Sequence, residues 1–139
     1  MASAAAMAAI QSAVSAAWSH TAIVLPNSGI TQLPADGSAL LFLEFPVAFE
    51  GQKSLGAPGA NIWREEGVFR LVLLIQSGVG LDPWPGRIDT LRAALRGQSL
   101  LAGALKTFEA NPPVTAEGGP DGQAYEISFG VRYWFDVIG

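Results

Sequence analysis

The side chains that can do chemistry in this sequence are few, and their spacing argues against most kinds of it. His20 is the only histidine and cysteine is absent. Metal sites need clustered His, Cys or carboxylates. His20 stands alone and reads as a surface or helix-end residue. A Ser-His-Asp or Cys-His system needs a base held by a third group. Only His20 is available as that base, and its local sequence offers no partner. Glu65-Glu66 has the composition of an acid–base pair. Adjacent residues entering a strand point to opposite faces, so the two cannot share one substrate. A solvated edge, or an inter-subunit salt bridge using Arg64, is expected instead. Gly78-Val79-Gly80 follows an apolar run and precedes a helical pattern, the setting of a dinucleotide-binding turn. Pro83 takes the place of the third glycine and Pro85 delays the helix. No parallel βαβ unit follows, and no acidic residue stands where a ribose ligand belongs. A sharp strand-to-helix turn is expected there. Trp18, Trp63, Trp84 and Trp134 lack the basic surround that base stacking requires. They read as core and interface anchors.

The elements that position these residues follow from periodicity. Met7, Ile10, Val14, Ala17 and Trp18 recur at helical spacing within residues 2–19, which are otherwise mostly Ala and Ser. Thr21–Leu25 is a short β-branched strand ended by Pro26-Asn27-Ser28-Gly29. Ala39–Phe49 is a second strand, and Pro46 places it at an edge or at a bulge. The Gly/Pro-containing segment at 50–61 is expected to project from the sheet and to order only against a neighbour. Gly67–Gln76 is apolar on both faces, which predicts a central strand covered on both sides. Ile88, Leu91 and Leu95 form the stripe of a second helix that ends at Gly97. Leu101–Glu109 reads as a strand stopped by Asn111-Pro112-Pro113, and Thr115–Gly122 as a polar loop. From Tyr125 to Phe135 strict alternation marks a long strand. The expected architecture is one α+β domain over residues 1–139, in the order α-β-β-β-α-β-β, with both helices packed on a mainly antiparallel sheet.

Half the residues are apolar and 14% are charged, against about 25% charged in an average soluble domain. Either the chain is very compact, or part of its apolar surface is covered by other chains. Net charge is −4 and the eight Lys and Arg are scattered, so neither DNA nor an anionic membrane is an expected partner. The Ala-rich N-terminus has no basic n-region, and secretion is not expected. No window approaches the ~18 consecutive apolar residues of a membrane span.

The order of these features resembles one family. A helix leads to a strand ending in Leu25-Pro26-Asn27, then to a loop carrying Gln52-Lys53-Ser54-Leu55-Gly56. Trp63-Arg64-Glu65-Glu66-Gly67 steps into the apolar strand, followed by Gly78-Val79-Gly80. A helix with Ile88-Asp89-Thr90-Leu91 and Leu95-Arg96-Gly97 and the closing strand complete the series. Over nearly its whole length the chain resembles the tail terminator (tail completion) proteins of long-tailed, non-contractile bacteriophages and of phage-like gene transfer agents. The resemblance implies a virion protein of the tail and neck, assembled in the host bacterial cytoplasm. It implies a homo-hexameric ring that caps the tail tube, stops its growth and offers its other side to the head connector or stopper. It implies neither catalytic residues nor a cofactor, and DNA passes through the ring without specific binding. From the sequence itself, the subunit or tube interface is expected to use Lys53, Leu55, Trp63, Arg64, Glu65, Glu66, Arg70, Trp84, Arg92 and Arg96. A head-closure adaptor or a minor tail protein is the nearest alternative. A small-molecule site at Gly78–Gly86 would need Asp82, Arg87 and Asp89 to converge.

Overall fold

In the computed structural model, residues 2–118 and 124–139 are described. Helix α1 spans Ala4–Ala17 and α2 spans Trp84–Leu95. The strands are β1 (Ala22–Val24), β2 (Leu40–Gln52), β3 (Ile62–Gln76), β4 (Ser99–Leu100), β5 (Leu105–Ala110), β6 (Val114–Gly118) and β7 (Ala124–Ile138). They form one sheet in the order β1-β2-β3-β7-β5-β4, and β6 pairs with the part of β7 that β5 leaves free.

Chain alternation builds two unlike faces. Along β3, Phe69, Leu71, Leu73 and Ile75 point to the helices and are at most 2% exposed. Ile127, Phe129, Val131 and Tyr133 of β7 and Leu41 and Leu43 of β2 join them. The apolar stripes of α1 (Ile10, Val14) and α2 (Ile88, Leu91, Leu95) close this core. Trp18, just past α1, meets Trp84 at the start of α2 with ring centroids 6.3 Å apart, which ties the two helices together. On the other face a small cluster of Val72, Leu74 and Ala124 is covered by Leu33 and Phe42. The two-sided coverage expected for the central strand is therefore met within one chain over that stretch.

The fold is α+β, with differences from the expected element series. The sheet is mixed: β1 runs parallel to β2, while the other pairs are antiparallel. Two strands were not foreseen. Ser99–Leu100 forms a hairpin with β5 around a tight turn at Leu101–Gly103, where Leu101 and Ala102 have positive φ. Part of the expected polar loop at 115–122 lies in strand β6, Val114–Gly118; residues 119–122 of that loop lie outside the described residues. Pro46 does mark a bulge, since β2 slips register between Glu44 and Val47.

The segment at 50–61 is also tighter than expected. Strand β2 continues to Gln52, and the remaining loop closes on itself. Asn61, 7% exposed, donates from Nδ2 to the carbonyls of Gly56 and Ala57, both at 3.3 Å. Ser54 Oγ accepts the Ile62 N–H at 2.8 Å, and Asn61 exchanges backbone hydrogen bonds with Gly139. A loop with its polar groups satisfied internally orders without a neighbour.

Candidate functional site

The face of the sheet turned away from the helices carries the densest arrangement of functional side chains. Cross-strand pairing sets it in rows. One row runs Phe49–Glu66–Trp134–Lys106, and the next runs Gly51–Arg64–Asp136. Beside them lie Val47–Val68–Arg132 and Glu44–Arg70–Gly130. Residues two apart on a strand share a face, so Arg64, Glu66 and Arg70 line up on β3 and Arg132, Trp134 and Asp136 on β7.

Within these rows the charges are paired. Arg64 holds Asp136 through two hydrogen bonds of 2.7 and 2.8 Å. Arg132 holds Glu109 at 2.8 and 3.3 Å. Arg70 lies 3.2 Å from Glu44, and Lys53 lies 3.8 Å from Glu66. The aromatic rings are stacked into the same ladder. The Arg64 guanidinium sits 3.3 Å above the Trp134 ring, Phe108 stacks on Trp134 at 5.5 Å, and Arg132 lies 4.4 Å from the Phe108 ring centre. Cation–π contact and bidentate pairing hold these long side chains in one geometry.

The Arg64 hydrogen bond is the main cause that holds the Asp136 carboxyl below its usual range. A carboxylate depressed in the folded state contributes stability above its ordinary pKa and loses that contribution as pH falls through the folded value. Asp136→Asn is therefore expected to lower the unfolding free energy near neutral pH, read from urea titration, by about 1 kcal/mol for a partly exposed bidentate pair. That gap between variant and wild type is expected to close below about pH 4. A gap that persists unchanged at pH 2 would show that the pairing with Arg64 is not its source.

Exposed apolar groups surround the ladder. Phe49 is 63% exposed, Val47 52%, Ile138 79% and Leu55 fully exposed. Ile62 and Ile138 pair across β3 and β7 at the same end of the sheet. Large apolar residues concentrated at one end of a sheet mark an interaction surface.

The expected interface residues fall into three groups. Lys53, Arg64, Glu66 and Arg70 lie on this face, with Leu55 in the loop at its tip, whereas Trp63, one residue before Arg64, falls on the opposite face. Trp63 donates from its indole N–H to the Gly139 carbonyl at 3.1 Å. Trp84, Arg92 and Arg96 belong instead to the helix layer. Arg92 bonds Asp89 and the Ala110 carbonyl, both at 3.1 Å, and so fastens α2 to β5. Arg96 is exposed just past α2.

Glu65 is a correction. It is neither a solvated edge nor a partner of Arg64. Alternation turns it inward, where it is 9% exposed, accepts the Tyr133 hydroxyl at 2.6 Å and accepts the Ser3 N–H at 3.1 Å. Glu65 and Glu66 thus lie on opposite faces. The carboxylate sits at the start of α1, where the helix dipole favours negative charge. Burial first, and the Glu65 hydrogen bond second, push the Tyr133 phenol above its ordinary range, so it stays a proton donor.

Asp82, Arg87 and Asp89 do not converge. Asp89 is taken by Arg92, and Arg87 lies 4.9 Å from the ring centre of its neighbour Trp84. Among the described residues no group of three or more His, Asp or Glu is placed to hold a metal ion. No helix among them is long and apolar enough to cross a membrane. Sequence reasoning read Trp134 as a core or interface anchor but passed over Asp136, Arg132, Lys106 and Phe108. The alternation of Arg132, Trp134 and Asp136 on the last strand was the available signal for two of them.

No family model matches the chain, and no curated protein matches it. One solved structure overlays it with a TM-score of 0.49 at 15% identity, covering 84% of this chain and 80% of the other. A likeness at that level carries no functional argument.

Proposed function

We propose that this chain is a structural assembly subunit of tail-terminator type. Its ring caps a tail tube, ends tube polymerisation and presents a joining surface to the head connector. The observation that carries the reading is the open sheet face, on which an internally paired ladder of charges and aromatic rings is bordered by exposed Val47, Phe49, Leu55, Ile62 and Ile138. Such a surface is built for protein contact: Trp and Arg anchors at its centre, apolar groups beside them, no convergent polar pocket. Arginines that already hold carboxylates have little charge left for phosphate, which fits a passage that DNA crosses without binding.

Light scattering after size exclusion tests this, with and without the tail tube protein of the same particle. A six-subunit mass, alone or on tubes, and tubes of fixed length are expected. A chain that stays monomeric and leaves tube length unchanged would sink the reading. Capture of a portal-side protein instead of tube protein would make it a head-closure adaptor. Arg64→Glu sets a carboxylate beside Asp136 and Glu66 on the open face, so the fold survives with a loss of about 1 kcal/mol. Its circular dichroism is expected to match wild type while the assembled mass is lost. Wild-type behaviour in both measurements would remove Arg64 from the interface.

A further inference from the structure

Among the described residues the sheet ends in two unlike edges, and neither carries a further strand. Past Phe42, β2 has β3 on one side and no strand on the other among the described residues. The bulge and Pro46 interrupt that edge near its middle. Beyond them Val47–Gln52 is a smooth run of strand without Lys or Arg, and it carries Val47 and Phe49 at 52% and 63% exposure. Edge strands are normally guarded by charge, proline or coverage. Here Pro46 and its bulge stand only at the start of the run, and Glu50 is its one charge. At the opposite side, β6 pairs only with β7 among the described residues, and Val114 is 64% exposed.

We infer that β2 residues Val47–Gln52 of one subunit pair with the free edge of β6, Val114–Gly118, in a second copy of this chain. Three observations favour this occupant. The segments are close in length, six residues on β2 against the five of β6. Their directions match too: β2 is antiparallel to β3, β3 to β7 and β7 to β6, so β6 runs opposite to β2. The two segments lie at opposite ends of the sheet, β6 beside Ala124–Ser128 and Val47–Gln52 level with the Arg132–Val137 end of β7, so a copy shifted along the strands as well as rotated presents β6 for antiparallel pairing. The side chains agree in face. Val47 and Phe49 share the open face through Val68 and Glu66, and Val114 and Ala116 share it through Ser128 and Glu126. Joining the edges extends one apolar border from copy to copy. Because the two edges differ, the contact is head-to-tail, and it closes into a ring about an axis inclined to the strands, which absorbs the shift. The inference rests on the ring reading above and names its subunit contact.

The chain has no cysteine, so paired thiols report this contact without background. Phe49→Cys and Val114→Cys replace exposed side chains, and circular dichroism is expected to show the native fold. With a short bismaleimide, the double variant is expected to give a covalent ladder up to the ring size on a denaturing gel. Each single variant stays a monomer, and a mixture of the two singles gives a dimer. Phe49→Lys is expected to raise the half-dissociation concentration of the ring about tenfold, and adding Val114→Glu to recover most of that loss. Dimers from Phe49→Cys alone would mean that β2 meets its own copy and overturn the pairing. A ring mass by light scattering with no ladder, or no recovery by Val114→Glu, overturns the pairing and leaves the ring reading standing. A monomer at every concentration, with tube protein present, overturns both.

Discussion

Leu73→Asp is expected to abolish folding. Leu73 is fully buried on the helix face, opposite Leu41 on one side and Ile127 on the other. The core cluster it belongs to includes Ile10, Val14, Ile88 and Leu91 from the two helices. Removing a buried Leu side chain costs about 2–5 kcal/mol. An aspartate there finds no donor, and even its protonated form adds roughly 2–7 kcal/mol of unsatisfied polar burial. The sum reaches the about 5–15 kcal/mol that a whole domain holds in reserve. Far-UV circular dichroism is expected to lose the native spectrum, and heating to show no cooperative transition. Leu55→Asp is the matched control, because Leu55 is fully exposed at the loop tip and its replacement leaves the transition in place. A cooperative transition in Leu73→Asp would show that the two helices do not pack over this point of β3.

The contrast between these two leucines shows which features the sequence makes legible. Burial on the helix face follows from alternation within a strand and from three- and four-residue spacing within a helix, so the core under α1 and α2 is readable. The bulge at Pro46 is readable for a different reason: proline lacks the N–H that a ladder needs. Strand β6 is not, because Thr115 and Ala116 bear no large apolar group and the strand owes its existence to an unfilled edge of β7. Parallel pairing of β1 with β2 is hidden too, since the connection at 25–39 contains no crossover helix to announce it. In the site, one-residue alternation already splits Glu65 from Glu66. The partners of Glu65 are another matter. Tyr133 and Ser3 lie 68 and 62 residues away in the chain, and periodicity says nothing about such pairs. Arg64 illustrates the same limit, since its charge is visible but its seat between Asp136 and Trp134 is set by β3–β7 register.

Gly67→Ala tests that long-range cluster, with an expected loss of about 3 kcal/mol, the upper range for overpacking. A Cβ at Gly67 would press on the Val47 carbonyl oxygen and stand 2.9 Å from both Cε1 and the hydroxyl of Tyr133. Neither neighbour yields easily. Val47 contributes backbone of the adjacent strand, and Tyr133 is fully buried with its hydroxyl on Glu65. Any relief that swings Tyr133 aside strips Glu65 of a donor and loosens the Ser3 contact at the start of α1. The urea midpoint is expected to fall, with faster hydrogen exchange in the first turn of α1. Tyr133→Phe attacks the same cluster from the other side and is expected to cost about 1–3 kcal/mol by removing one partner of a buried carboxylate. Because both changes break one contact, the double variant should lose less than the sum. The phenol adds an alkaline signature. Its folded pKa is raised, so its contribution is complete below the ordinary phenol range and is lost as pH rises above about 10. Tyr133→Phe is expected to flatten that alkaline slope while Gly67 stays native. Gly67→Ala within about 0.5 kcal/mol of wild type, the scatter of ordinary surface substitutions, would show that Tyr133 does not sit over Gly67 and that α1 is held by its apolar stripe alone.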